Sequence, residues 1–268
     1  MAAFLTHLVV GERVWIALDG RQPGGGDYGT FLFGCLAPDM DKFCDGLEQG
    51  TTHFVAKDKD YSHVWRRSQH FLDHRAEFLR APFHTLEAGE QAFVLGYLCH
   101  VATDEITGRL ALALKGQLAA AGTPMPHANA ILTAMDPRIW AMAVAPGEMV
   151  AALAVAAIPN GTLIFTPLDC LSAMRQIILP QVREGGGLIP YLNMVRRQWH
   201  WQRCGWVSNA TDDLDLEAEL ATYRRYIEVD LPASERLVNR MPLGPFVEEA
   251  VSHSSQRIHA LLDGEGLR

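Results

Sequence analysis

The chain has 268 residues, 49% of them hydrophobic and 20% charged, which is the composition of a folded globular domain rather than a disordered or fibrous one. Its formal net charge is −8 at pH 7 with no block of lysine or arginine, so duplex nucleic acid and anionic membrane surfaces are poor partners. The five cysteines, Cys35, Cys44, Cys99, Cys170 and Cys204, form no C-x-x-C pair; this argues against a disulfide framework and against a cysteine-rich zinc module.

At the amino terminus, MAAFLTHLVVGERVW lacks a basic leader and places His7, Glu12 and Arg13 where a secretory segment needs apolar residues. The longest apolar stretch, 149–159, falls far short of the roughly 20 residues of a spanning helix. A soluble, cytoplasmic protein is the expectation. Leu8, Val14, Trp15 and Leu18 share one face of a first helix, with Thr6 as N-cap and His7 in the first turn. The breakers 22–27 follow, then FLFGCLAPDMDKF, an apolar segment interrupted by Pro38, with Asp39 opening a turn or a new helix. Residues 62–79 read as an amphipathic helix carrying His63, His70 and His74 beside Arg66 and Arg67.

The longest helical pattern runs from Thr85, read as N-cap, to about Ala121, where Gly122 is a typical stop. Further helices are expected at 129–143, 147–158, 167–183, 188–200, 214–229 and 244–262, with loops near 20–28, 44–60, 122–128, 159–166 and 201–213. Alternating β-branched runs are scarce, and no phosphate-binding glycine motif appears. The expected fold is all-α, with residues 1–268 forming one domain.

Within the long helix, LGYLCHVATDE sets His100 and Asp104 four residues apart, on one face and in apolar company. A simple hydrogen bond between them is the plain reading. A buried carboxylate, however, needs a strong partner. Gly96, one turn earlier, costs roughly 1 kcal/mol in mid-helix relative to alanine, which implies close approach by another segment or by a ligand. Upstream stand His7, Asp39 and His53. Two carboxylates and three imidazoles make an N/O donor set that suits Zn²⁺, and a shared aspartate can bridge two ions.

The ordered motifs T-H-L-V, G-C-L-A-P-D-M-D, T-H-F and L-G-Y-L-C-H-V-A-T-D-E resemble those of the zinc-dependent phospholipase C family, whose wider superfamily includes the P1-type nucleases. The resemblance spans about residues 4–108 and implies an all-α protein with a zinc cluster between helices. It implies His7, Asp39, His53, His100 and Asp104 as metal ligands, with Asp104 bridging. Asp39, His53, His100 and Asp104 would hold one Zn²⁺, and His7 with Asp104 a second. It further implies a phosphoric-ester hydrolase in which a zinc-activated hydroxide attacks phosphorus and Asp39 is the candidate general base, with Arg109 or Arg66 stabilising phosphoryl charge.

The sequence departs from the secreted relatives after Asp104. Glu105-Ile-Thr-Gly-Arg109 replaces a further histidine, and no H-x-x-x-E occurs in the chain; the third metal site is missing or rebuilt. Met40 and Gly50 stand where choline-binding aromatic residues are expected, which weakens a phosphatidylcholine assignment. Candidate replacement ligands are His63, His70 and His74, or Glu249 and His253, although a solvated face explains the first set. Glu105 and Arg109 have the spacing of a helical ion pair and lie beside the proposed metal. Trp199, Trp201 and Trp206 line a pocket or staple a helix end, and Asp136-Pro137 reads as helix-start chemistry. The partner is a phosphoester substrate of unspecified identity. The alternatives are a helical zinc-binding protein without turnover, or different chemistry on the same metal scaffold.

Overall fold

The computed structural model describes residues 4–19, 27–43, 47, 49–54, 66–120, 128–159, 161–165, 168–183, 228–229 and 231–264. Its helices are α1 (Phe4–Ala17), α2 (Tyr28–Gly34), α3 (Gln49–Thr52), α4 (Arg67–Phe78), α5 (Ala88–Ala120), α6 (Ala128–Trp140), α7 (Pro146–Val155), α8 (Leu168–Arg183), α9 (Leu231–Val238) and α10 (Leu243–Gly264). A 3₁₀ helix, Ala37–Phe43, joins α2 to the site, and another covers Phe83–Thr85. Among the described residues the only strand-like pairing is an isolated bridge between Leu79 and Leu163. The fold is all-α, and no described helix is long and apolar enough to cross a membrane.

The centre of the molecule is α5. From Ala92 to Thr107 its side chains are buried on every face except for Gly96, which has none, as expected of a helix apolar all round. It packs most extensively against α2 on one side and α10 on the other. Two glycines set the first contact. A methyl group on Gly96 would lie 2.0 Å from the Phe31 carbonyl oxygen, and one on Gly34 2.3 Å from the Phe93 carbonyl oxygen. Gly96 therefore answers to backbone approach by α2, not to a ligand.

Buried carboxylates join helices that are remote in sequence. Asp136 accepts from the Leu5 and Thr6 amides at 3.1 and 2.8 Å and from the Thr6 hydroxyl at 2.7 Å. These are first-turn donors that α1 cannot satisfy itself. Thr6 is thus inside the helix rather than its N-cap. Asp136, itself inside α6, performs helix-start chemistry for α1. In return Glu12 of α1 accepts from the Val144 and Ala145 amides at 2.7 and 2.6 Å, where α7 begins.

Other expectations shift in detail. Thr85 lies in the short 3₁₀ helix before α5, with its hydroxyl donating to the Pro82 carbonyl at 2.8 Å. The stretch 44–60, read as loop, contains α3. Cys170 is disulfide-bonded, while Cys35 and Cys99 are free and buried, so the odd cysteine count did not exclude a disulfide. His63, the tryptophans Trp199, Trp201 and Trp206, the acidic run 212–215, the helix expected at 188–200 and nearly all of that at 214–229 lie outside the described residues.

Candidate metal centre

His7, Asp39, His53, His100 and Asp104 come from four separate segments, α1, the first 3₁₀ helix, the end of α3 and α5, and all five are buried. Each is aimed by its local structure. The Asp136 cap fixes the first turn of α1 and with it His7, whose ring stacks on that of His100 at 3.6 Å between centroids and 8° between planes. α2 ends at Gly34, and the 3₁₀ helix Ala37–Phe43, with Pro38 in its first turn, presents Asp39.

His53 follows α3 and precedes Phe54, whose φ of 53° lies in the left-handed region. A bulky residue adopts that conformation only where packing compensates it. Phe71, Phe78 and Tyr97 enclose Phe54 at 4.8, 4.5 and 5.5 Å between ring centroids. The Tyr97 hydroxyl also donates to the Thr52 carbonyl at 2.6 Å, and Thr52 Oγ1 meets His53 Nδ1 at 2.8 Å. Tyr97 and Phe54 were missed in the sequence because neither carries metal chemistry; the signal for both is tertiary.

His100 Nδ1 lies 2.7 Å from the Cys35 carbonyl oxygen. A carbonyl can only accept, so Nδ1 carries the proton and, in the neutral ring, Nε2 carries a lone pair. Burial, together with the neighbouring His7, holds His100 well below the usual imidazole range, so the ring is neutral. Burial alone would push Asp104 up. The positive charge of the amino terminus, followed by the hydrogen bond with His7, outweighs that and keeps the carboxyl well below its ordinary value. A metal ligand set requires a neutral imidazole and an ionised carboxylate.

Asp104 divides its two oxygens. Oδ1 faces His7 Nε2 at 3.5 Å, while Oδ2 faces His53 Nε2 at 3.5 Å and His100 Nε2 at 3.8 Å. His53 Nε2 lies 3.6 Å from Asp39 Oδ1. These separations exceed ordinary hydrogen bonds. Bonds of 2.0–2.1 Å to a tetrahedral Zn²⁺ put neighbouring donors about 3.4 Å apart. His53 Nε2, His100 Nε2 and both nitrogens of His7 are buried without a hydrogen-bond partner among the described residues. The His100 lone pair lies 3.8 Å from a carboxylate oxygen, so two acceptors face each other in a buried site. A cation between them resolves the conflict, and the donor set fits zinc.

Two overlapping triads satisfy the reach of a single ion: His7 with Asp39 and His100, and His53 with His100 and Asp104. His100 has only Nε2 to give, so it can serve one ion at a time. Residues 6–107 match the family model for zinc dependent phospholipase C. Over that stretch the chain is similar to the zinc-dependent phospholipase C family. The match contains all five donors. No curated protein and no solved structure matches the chain.

The segment where the sequence leaves the family's secreted pattern has its own structure. Glu105 is buried and turned away from Arg109. Its Oε1 accepts from the Ser68 amide at 2.7 Å and its Oε2 meets His253 Nε2 at 2.6 Å. Arg109 instead lies 3.6 Å from Glu249 on the surface. Glu249 and His253 are therefore engaged separately, neither with the five donors. The rings of His70 and His74 lie 4.5 Å apart and tilted by 46° on α4, and His74 is exposed beside Glu77 at 3.2 Å. Among the described residues, the arginine that reaches the centre is Arg67, whose Nη1 lies 3.7 Å from Asp104 Oδ2. Arg66 is exposed at the N-cap of α4.

Proposed function

We propose that the protein is a zinc-dependent phosphoric-ester hydrolase. The support is the opposition of the His100 lone pair and the Asp104 carboxylate within a buried N/O donor set, in a stretch that matches the model of a zinc-dependent family. In this reading His53, His100, Asp104 and Asp39 would hold one Zn²⁺, and His7 with Asp104 would hold a second. Zinc, when bound, supplies a water nucleophile at neutral pH and polarises the phosphoryl oxygens.

The chain's own residues do the rest. Asp104 ties the two halves of the site together through its two oxygens. The Cys35 carbonyl and Thr52 hold the rings of His100 and His53 in orientation, a role that partners of metal-bound histidines commonly play. Asp39, if one carboxylate oxygen remains uncoordinated, takes the proton from the attacking water. The bond broken is between phosphorus and the leaving oxygen, which departs with a proton from solvent.

The test is metal analysis combined with turnover. Purified protein is expected to carry about two zinc ions, a count that follows from the two oxygens of a shared carboxylate. It should also hydrolyse bis(p-nitrophenyl) phosphate or p-nitrophenyl phosphate in a chelator-sensitive manner. The near-complete burial of the five donors favours a second reading, a zinc-binding protein without turnover. Stoichiometric zinc with no hydrolysis of either ester would decide for it.

A further inference from the structure

We propose that Arg67 is the residue that binds the phosphoryl group, supplying fixed positive charge beside the metal centre. This deepens the hydrolase reading and rests on it. Arg67 is the first residue of α4 and its side chain is 14% exposed. Its guanidinium meets Asp104 Oδ2 at 3.7 Å, too long for a hydrogen bond, and its buried Nε has no hydrogen-bond partner among the described residues.

Two neighbours make this a prepared position. Glu105, next to Asp104 on α5, binds the Ser68 amide and so locks the first turn of α4 against the centre. That same carboxylate is taken by His253 of α10 and so does not neutralise Arg67. The carboxylate that does face Arg67 belongs to Asp104, whose charge is spent on zinc once the site is loaded. A permanently charged, planar fork is then left at the rim, where it matches the non-bridging oxygens of a phosphoryl group in pairs. Arg67, with 14% of its side chain exposed against 2% for Asp104, links the buried donors to solvent. The negative charge that grows on those oxygens during displacement is what such a donor stabilises.

The experiment uses the full-length, zinc-loaded protein and Arg67→Gln and Arg67→Lys variants, with inorganic phosphate binding read by calorimetry. Arg67→Gln should weaken phosphate at least about tenfold, with Arg67→Lys intermediate because charge remains but the fork is lost. On bis(p-nitrophenyl) phosphate, kcat/KM should fall about 10²–10³-fold in the glutamine variant. Zinc content should match the wild type, because removing a cation beside Asp104 cannot weaken metal electrostatically. Loss of zinc in both variants would make Arg67 a support of the metal site and overturn the proposal, as would phosphate affinity and turnover within about twofold of wild type. A wild type that binds phosphate but hydrolyses neither ester refutes the hydrolase reading alone; loss of that binding in Arg67→Gln still upholds the anion site. A wild type that binds no phosphate overturns it.

Discussion

Asp104 concentrates the chemistry of the site in one side chain, because its two oxygens address different imidazoles and its charge faces Arg67. Asp104→Asn keeps the shape but removes the charge that holds cations. We expect it to lose most bound zinc, and His100→Ala to lose at least one ion per chain, both read by metal analysis of folded protein. Unchanged metal content in either variant would mean the site lies elsewhere. Asp136 makes a separate, pH-dependent contribution. Burial raises its carboxyl from 3.8 to about 6, against the opposing hydrogen bonds from Thr6 and Leu5. The folded form thus holds its proton more tightly than the unfolded one. That stability is fully present below pH ~4 and is lost as pH rises through ~6, a change of about 3 kcal/mol. Urea unfolding of metal-free protein between pH 4 and 7 should show this slope in the wild type relative to Asp136→Asn, in which position 136 does not titrate.

At the level of elements, the candidate metal centre depends on how closely α2 and α5 approach. Gly96 permits the contact that brings the Cys35 carbonyl to His100. Alanine would improve helix propensity by roughly 1 kcal/mol, but its methyl group would meet backbone at 2.0 Å. The clash decides the sign: Gly96→Ala should destabilise by about 3 kcal/mol and lower zinc affinity, seen in chemical unfolding and metal titration. Glu105 joins α4, α5 and α10 in the same manner. Its replacement by alanine leaves the buried Ser68 amide and His253 without their acceptor, at a cost of about 3 kcal/mol. Hydrogen exchange at the start of α4 should accelerate in Glu105→Ala; protection equal to wild type would show that another group caps that helix.

Across the whole molecule, zinc should act as a fold-stabilising ligand, since the five donors converge only when α1, the 3₁₀ turn, α3 and α5 are assembled. Free zinc at about a thousand times its dissociation constant should add roughly 4 kcal/mol to unfolding. A chelator should lower the thermal midpoint accordingly, and an unchanged midpoint would separate metal binding from folding. The all-α fold, the long central helix and the ordered motifs around His7, Asp39, His53, His100 and Asp104 were legible in the sequence, because helical periodicity and ligand type are local properties. Which arginine reaches the site was not. Arg66 and Arg109 were the sequence candidates, yet helix phase and the Glu105 cap turn Arg67 inward while Arg109 meets Glu249. Nor could spacing show that Asp136 caps α1, that Glu105 pairs with His253, or that Gly96 accommodates α2 rather than a ligand. The sequence by itself determined the all-α class and named the candidate donors. Tertiary structure alone decided which buried polar groups face one another, because a carboxylate removed from water takes its partner from whatever helix packing brings within a few ångströms.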